Sequence, residues 1–476
     1  MEQDANTFKK EPKSGFITEE NMALLTDLYQ LTMGQVYLHN NKNDNATFDL
    51  FVRRLPKERG YLVAAGLEQC LYFLKNIRFG KRAIEYLNSL DLFSKDYLDY
   101  LSKFKFTGSV DAVPEGTLIF PNEPLIRVTA PRIEAQIVET FLLSMINYQT
   151  SIASKAARIV DVASGLPVVE YVRDEYRPIV EFGLRRAPPT PWASRASYLA
   201  GCIATSNLAA GREFDIPVMG TMAHSMVLTF DEAEAFKAYI REFPDKGIFL
   251  VDTYDSIQGT KNVISAIETK EKIKSVRLDS GNKLEISKKV RKILDAAGLS
   301  NTKIFVSDDM NEYKIAELLE AGAPIDAFGV GTEMVTSRDA PALGGIYKLV
   351  QDSSGPKMKF SEGKITLPGV KQIWRISDEN GFYVKGIVGL EGEMLGGRPL
   401  LIPIMRDGEL VYDIPSLKEI RDYCLEERVK LPKGYRKISN FESYPVELSL
   451  GLKGLVEELS KKYRDFQKRK FAGISF

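Results

Sequence analysis

Between residues 179 and 330 the chain alternates short runs rich in β-branched and aromatic residues with amphipathic helical stretches, and no other feature restricts the fold as much. The runs fall at 179–182, 216–219, 248–251, 275–278, 303–306 and 327–330, with helical patterns between them at 231–242, 283–297 and 312–321. Strands separated by helices of this length must run parallel, because each crossover returns the chain to the same end of the sheet. More than five such units in about 200 residues favour a (β/α) barrel, with an open doubly wound sheet as the alternative. The fold class expected is therefore α/β, an irregular barrel packed on a further α+β domain.

The flanks read differently. Residues 1–18 are polar, and Leu24, Leu25, Leu28, Leu31 and Thr32 then recur at helical spacing, which predicts a helix over 21–39. Strands are expected at 46–53 and 117–128, the second interrupted by Pro121-Asn122-Glu123-Pro124, and a long helix over 133–157 leads into the barrel. After Tyr347 strands and turns return, and an amphipathic helix closes the chain at 450–466. The organisation expected is an N-terminal α+β region, 1–145, a barrel, 146–350, and a C-terminal region, 351–476.

Composition narrows the function. Of 476 residues, 64 are Lys or Arg and 64 are Asp or Glu, so the formal charge is zero and no basic excess points to nucleic acid or to an acidic membrane. Cys70, Cys202 and Cys424 are too far apart for a metal or redox motif and too few for a disulfide framework. The first 19 residues lack an apolar stretch, and no run approaches the roughly 18 apolar residues of a spanning helix. A cytoplasmic protein acting on a small molecule is the expectation.

Each barrel run is followed by a polar or glycine-rich group, at the strand end where barrel active sites are built. Gly329-Val330-Gly331-Thr332 leads from strand into helix and offers backbone N–H groups to a phosphate, although a tight turn would also demand glycine. It lacks the last glycine of a dinucleotide fingerprint, and the chain has no P-loop. Asp252, Asp279 and Asp308 come from three strand ends and face Arg185, Arg186 and Arg277. Such a set suits sugar hydroxyls or a hydrated Mg²⁺, whereas helix capping by Ser280 or Asp308 accounts for only part of it. Of the two histidines, His39 closes the first helix and reads as a partner of its dipole. His224 stands at a strand end, where it is either a hydrogen-bonded structural residue or a nucleophile for a phosphoryl group.

These groups together resemble the nicotinate phosphoribosyltransferase family of type II phosphoribosyltransferases. The resemblance runs from about Asn21 to about Leu455 through Leu25-Thr26-Asp27-Leu28-Tyr29-Gln30-Leu31-Thr32, Phe182-Gly183-Leu184-Arg185-Arg186, Thr205-Ser206-Asn207 and Gly220-Thr221-Met222-Ala223-His224-Ser225. Leu278-Asp279-Ser280-Gly281, the stretch 328–345 and Leu367-Pro368-Gly369-Val370-Lys371-Gln372 continue it. It implies a barrel packed on an α+β domain formed from both chain ends, in a homodimer that shares its active sites. It implies that nicotinate and phosphoribosyl pyrophosphate give nicotinate mononucleotide and pyrophosphate in NAD salvage, with ATP hydrolysed through a phosphohistidine and Mg²⁺ as cofactor.

By motif, Phe182 would stack on the pyridine ring, with Tyr29 of the second subunit on its other face, and Arg277 would meet the carboxylate. Arg53 and Arg185 would hold the diphosphate, Asp279 and Asp308 the ribose, Gly329, Gly331 and Thr332 the 5'-phosphate, and His224 would be phosphorylated. Asp252 and Ser225 join the substrate-binding set. Whether Asp279 or Asp308 also meets Mg²⁺ is left open.

Nicotinamide phosphoribosyltransferase shares the barrel and the histidine, but has an aspartate after the threonine where this chain has Ser206, which adds no charge against a carboxylate. A non-catalytic scaffold of the same fold is the rival from another class, and it would not need Arg277, Asp279, His224 and Gly329 to Thr332 together. The chain departs from the family pattern at 167–177, which reads as an insertion, and at Pro188-Pro189-Thr190-Pro191.

Overall fold

The computed structural model describes residues 16–164, 176–360 and 366–471, with side chains described as far as 464. The stretch 167–175 of the expected insertion lies outside them. Six parallel strands form one sheet, in the order Ala204–Thr205, Ile179–Glu181, Ala327–Val330, Lys303–Val306, Ser275–Leu278, Ile248–Leu250. The sheet is a half-barrel, and its two edge strands are not paired to each other. Helices Ser256–Ala266, Lys283–Ala296 and Glu312–Glu320 cross between successive strands, each starting from a side-chain cap, by Asp255, Asn282 and Asn311.

The run at 216–219 is not a strand. It makes a single bridge, Thr205 to Val218, in which Thr205 N–H donates to Pro217 O at 3.0 Å and Met219 N–H to Thr205 O at 2.9 Å. Pro217 has no N–H to continue a ladder, and Asp215, at φ 53°, has just turned the chain out of the helix Leu208–Phe214.

The second domain is built from both ends of the chain. Its seven-stranded antiparallel sheet runs Gly355–Pro356, Gly345–Asp352, Asn45–Val52, Pro124–Pro131, Ser109–Ala112, Ile402–Arg406, Glu409–Leu410. Seven of the eight residues of Asn45–Val52 are buried, so this central strand is covered on both faces and lacks a polar alternation. The expected first helix is shorter than its periodicity suggested. Met22–Leu24 is a 3-10 turn and the α-helix is Leu28–His39, because Asp27 adopts an extended backbone as its N-cap, where its carboxylate also accepts from the Thr140 hydroxyl at 2.7 Å. The long helix is likewise two, Arg132–Ile137 and Glu139–Ala163.

Helix Glu139–Ala163 is buried along most of its length and joins the domains through charge as well as apolar packing. Lys155 pairs with Glu312 at 2.7 Å and Asp339 at 3.0 Å, and Arg158 pairs with Glu312 at 2.9 Å. Arg59, from the loop after Asn45–Val52, donates to Ser151 O at 2.8 Å and Ser337 Oγ at 2.6 Å and pairs with Asp339 at 3.2 Å. Removing one member would strand a buried charge at a cost of about 3–5 kcal/mol, so the loop after Thr332–Val335 at the barrel mouth is held firmly against the other domain.

Candidate active site

The strand ends bring Phe182, Asp252, Thr253, Arg277, Asp279 and Ser307 together, and the segment after the Val218 bridge adds Thr221 and His224. Arg277, on Ser275–Leu278, has a side chain only 16% exposed and donates three ways: to Ser307 Oγ at 2.8 Å, Thr221 Oγ1 at 2.9 Å and Asp279 Oδ1 at 2.7 Å. Its guanidinium lies 5.4 Å from the Phe182 ring centroid, within cation–π range. A flat cation fixed beside an aromatic face can receive a planar aromatic acid by stacking and ion pairing at once.

Glycines allow this packing. A Cβ on Gly329 would come within 2.6 Å of the Phe182 ring, and one on Gly183 within 2.4 Å of Val335. Gly329 sits inside the strand, opposite Val180, so the N–H groups left over at this strand end begin at Gly331 and Thr332, where the short helix Thr332–Val335 starts.

Burial pushes the Asp279 carboxyl up, but Arg277, the Ser307 hydroxyl and His224 pull it further the other way, and it ends below the usual carboxylate range. His224 begins the helix His224–Thr229; its Nδ1 lies 3.1 Å from Thr253 Oγ1 and its Nε2 3.7 Å from Asp279 Oδ2, with the side chain 42% exposed. Thr253 thus holds one ring nitrogen and the other faces the cleft.

The three strand-end aspartates do not form a metal cage, and no cluster of three or more His, Cys, Asp or Glu side chains suited to a metal exists among the described residues. Asp252 instead accepts from Asp279 N–H at 2.8 Å and the Ser280 hydroxyl at 2.6 Å, and so shapes the loop that carries Asp279. Asp308 has φ 81° and Asp309 φ 38°, two consecutive left-handed residues that turn the chain at the mouth.

Other predicted residues lie around this centre. Arg185 and Arg186 are exposed on the 3-10 turn Leu184–Arg186, Ser225 is exposed on the His224 helix, and Ser206 is half-buried, with its N–H on Glu181 O at 3.0 Å. Tyr29 is 47% exposed on Leu28–His39, and Arg53 follows Asn45–Val52 with its Nε buried and unpartnered. Among the described residues neither makes a hydrogen bond or ring contact with the barrel cluster within one chain. His39 ends its helix and pairs with Asp96 at 3.0 Å.

The sequence reading missed Glu181. It is 1% exposed, no described cation pairs with it, and its carboxylate accepts from the Gly183 N–H, the Thr205 hydroxyl and the Ser194 hydroxyl, the last at 2.8 Å. One buried carboxyl group thereby ties the turn after Phe182 to the residue before Ser206. A charge inside the run Ile179-Val180-Glu181-Phe182 was the available signal. A cavity of about 880 Å³ lies elsewhere, among Phe16, Tyr72, Phe141, Trp192 and Phe214, and contains none of the clustered residues.

No helix in the described residues is long and apolar enough to cross a membrane. The nicotinate phosphoribosyltransferase N-terminal domain matches residues 24–147, the nicotinate phosphoribosyltransferase family residues 178–354, and the C-terminal domain residues 395–456. A nicotinate phosphoribosyltransferase of Mycobacterium tuberculosis is 45% identical over 436 residues, covering 90% of this chain and 91% of that protein. One of Bacillus subtilis is 39% identical over 470 residues, covering 90% and 94%. The crystal structure of human nicotinic acid phosphoribosyltransferase superposes with a TM-score of 0.80 at 28% identity, covering 91% of this chain and 99% of that one. With barrel, two-ended second domain and strand-end cluster all accounted for, the chain belongs to the nicotinate phosphoribosyltransferase family.

Proposed function

We propose that this chain joins nicotinate to phosphoribosyl pyrophosphate, forming nicotinate mononucleotide and pyrophosphate in NAD salvage, and that ATP is hydrolysed alongside through phosphorylated His224. The observation that carries the reading is the placement of Arg277 5.4 Å from the Phe182 ring centroid at the strand ends. Nicotinate would lie on Phe182 with its carboxylate toward Arg277. Its ring nitrogen forms the new bond to the anomeric carbon while the bond from that carbon to the diphosphate oxygen breaks, and the leaving group takes the electron pair. Positive charge develops on the sugar and negative charge on the departing diphosphate, so a fixed carboxylate at Asp279 and the exposed Arg185 serve opposite ends of the transition state.

His224 has its Nδ1 side occupied by Thr253, which leaves Nε2 to take the γ-phosphoryl group as ADP departs. Hydrolysis then restores the imidazole. The added charge and acceptor oxygens beside Asp279 would alter how the sugar diphosphate is held.

An all-oxygen donor set at Asp279 and Asp308 fits a hard cation. With no cluster of three ligands, it suits Mg²⁺ that brings its own waters and is shared with substrate oxygens. Mg²⁺ there would neutralise part of the diphosphate charge. The half-exposed Tyr29 fits a homodimer in which a second copy covers the base-binding face, and a cytoplasmic location suits these substrates. The purified protein should consume phosphoribosyl pyrophosphate with nicotinate, faster with ATP and Mg²⁺. A preference for nicotinamide would refute the substrate assignment.

A further inference from the structure

Lys283 opens the helix Lys283–Ala296, where a cation meets the positive end of the helix dipole and gains nothing locally. The cap is supplied by Asn282, whose side chain accepts from Glu285 N–H at 3.2 Å, so Lys283 has no part in it. Its side chain is nevertheless only 9% exposed, and Nζ is buried without a hydrogen-bond partner. The nearest carboxylate oxygen, Asp308 Oδ2, is 3.8 Å away. The charges that act on it are Asp308, Asp252 and Asp279, with Lys314 opposing them. Asp252 Oδ1 is also buried and unpartnered. A buried ammonium with three protons and no acceptor is costly, and a merely structural lysine would have been given one.

The carboxylates around Lys283 point to the missing acceptor. They repel a diphosphate but accept readily from hydroxyls. A hydroxyl that gives its proton to a carboxylate still has lone pairs to satisfy, and carboxylates cannot donate to them. We propose that Lys283 is a further substrate-binding residue, donating to ribosyl hydroxyl oxygens whose protons are taken by Asp279 and Asp308. This inference rests on the reaction proposed above.

The test compares wild type with Lys283→Met, which keeps most of the apolar stem and removes the charge, and with Lys283→Arg. Binding of phosphoribosyl pyrophosphate, ribose 5-phosphate and pyrophosphate is measured by calorimetry in Mg²⁺, beside thermal midpoints and KM for nicotinate. In Lys283→Met, both ribosyl ligands should bind about tenfold or more weaker, the size of a lost charge-assisted hydrogen bond. Pyrophosphate affinity and the nicotinate KM should change less than twofold, Lys283→Arg should recover part of the loss, and the midpoint should shift by no more than a few degrees because Nζ makes no hydrogen bond in the fold and its one ion-pair contact is long, at 3.8 Å. Undiminished ribosyl affinity would overturn the proposal, as would an equal loss for pyrophosphate or a midpoint several degrees lower with both substrates weakened. Wild-type protein that binds no phosphoribosyl pyrophosphate would instead remove the reaction on which the inference rests.

Discussion

Replacing Arg277 by alanine separates the acid-binding role of this residue from its structural one. Arg277 is mostly buried and its three hydrogen bonds point it along the Phe182 face. A nicotinate carboxylate deprived of this partner should lose about 3 kcal/mol, the lower end of the range for a broken buried pair because the cleft is partly open. At about 1.4 kcal/mol per tenfold, that is roughly a 150-fold fall in kcat/KM for nicotinate. The substitution also removes the cation 2.7 Å from Asp279. The Asp279 carboxyl lies below its ordinary range, so its contribution to stability is present above the unfolded pKa of about 3.9 and disappears as pH falls through the lower folded value. Arg277→Ala should therefore lower the thermal midpoint at pH 7, and the gap from wild type should narrow below about pH 4. Steady-state kinetics with each substrate varied, and melts across that window, measure both effects. Arg277→Lys should recover part of the nicotinate use, since it restores the charge without the planar fork. A fall of less than tenfold for nicotinate, with the larger change in KM for phosphoribosyl pyrophosphate, would refute the assignment and move Arg277 to the diphosphate.

The remaining expectations address ATP, the amide and the dimer. His224→Ala should abolish covalent labelling from γ-phosphate-labelled ATP while leaving some ATP-independent synthesis; undiminished labelling would place the phosphoryl group elsewhere. Ser206→Asp sets a carboxylate near the substrate's own, so the ratio of kcat/KM for nicotinate over nicotinamide should fall by about tenfold or more, and an unchanged ratio would mean that selectivity lies at another residue. Tyr29→Ala and Phe182→Ala subunits, each inactive alone, should regain part of the activity when mixed and allowed to exchange. Continued inactivity after demonstrated exchange would argue against sites shared between subunits.

How much of this was legible in the chain depends on whether a residue's role is set by its neighbours in sequence or by its neighbours in space. The strands at 179, 248, 275, 303 and 327 were legible because each is a short, largely apolar run bounded by polar or glycine-containing segments, and local propensity agreed with tertiary structure. The run at 216–219 has the same composition, yet Pro217 and the left-handed Asp215 leave it with one bridge. Asp27, by contrast, shortened a helix that periodicity alone would have carried back to residue 21. Within the site, Phe182, Arg277 and Asp279 stood out because polar or aromatic residues at strand ends have few structural uses, and His224 stood out although the run before it makes only one bridge. Glu181 and Lys283 did not stand out, since one sits in an apolar run and the other reads as a helix surface lysine. Their burial is made by segments distant in the chain: Ser194 and Thr205 enclose the carboxylate, and the aspartates at 252 and 308 surround the ammonium. Both break a local rule, a charge within a strand run and a cation at a helix N-terminus; Lys283 lies among the aspartates of the cleft, and Glu181 braces the turn that carries Phe182 into it. A folded chain tolerates such conflicts where the site gains from them, so a violation of local preference that points toward a barrel mouth is itself evidence of function.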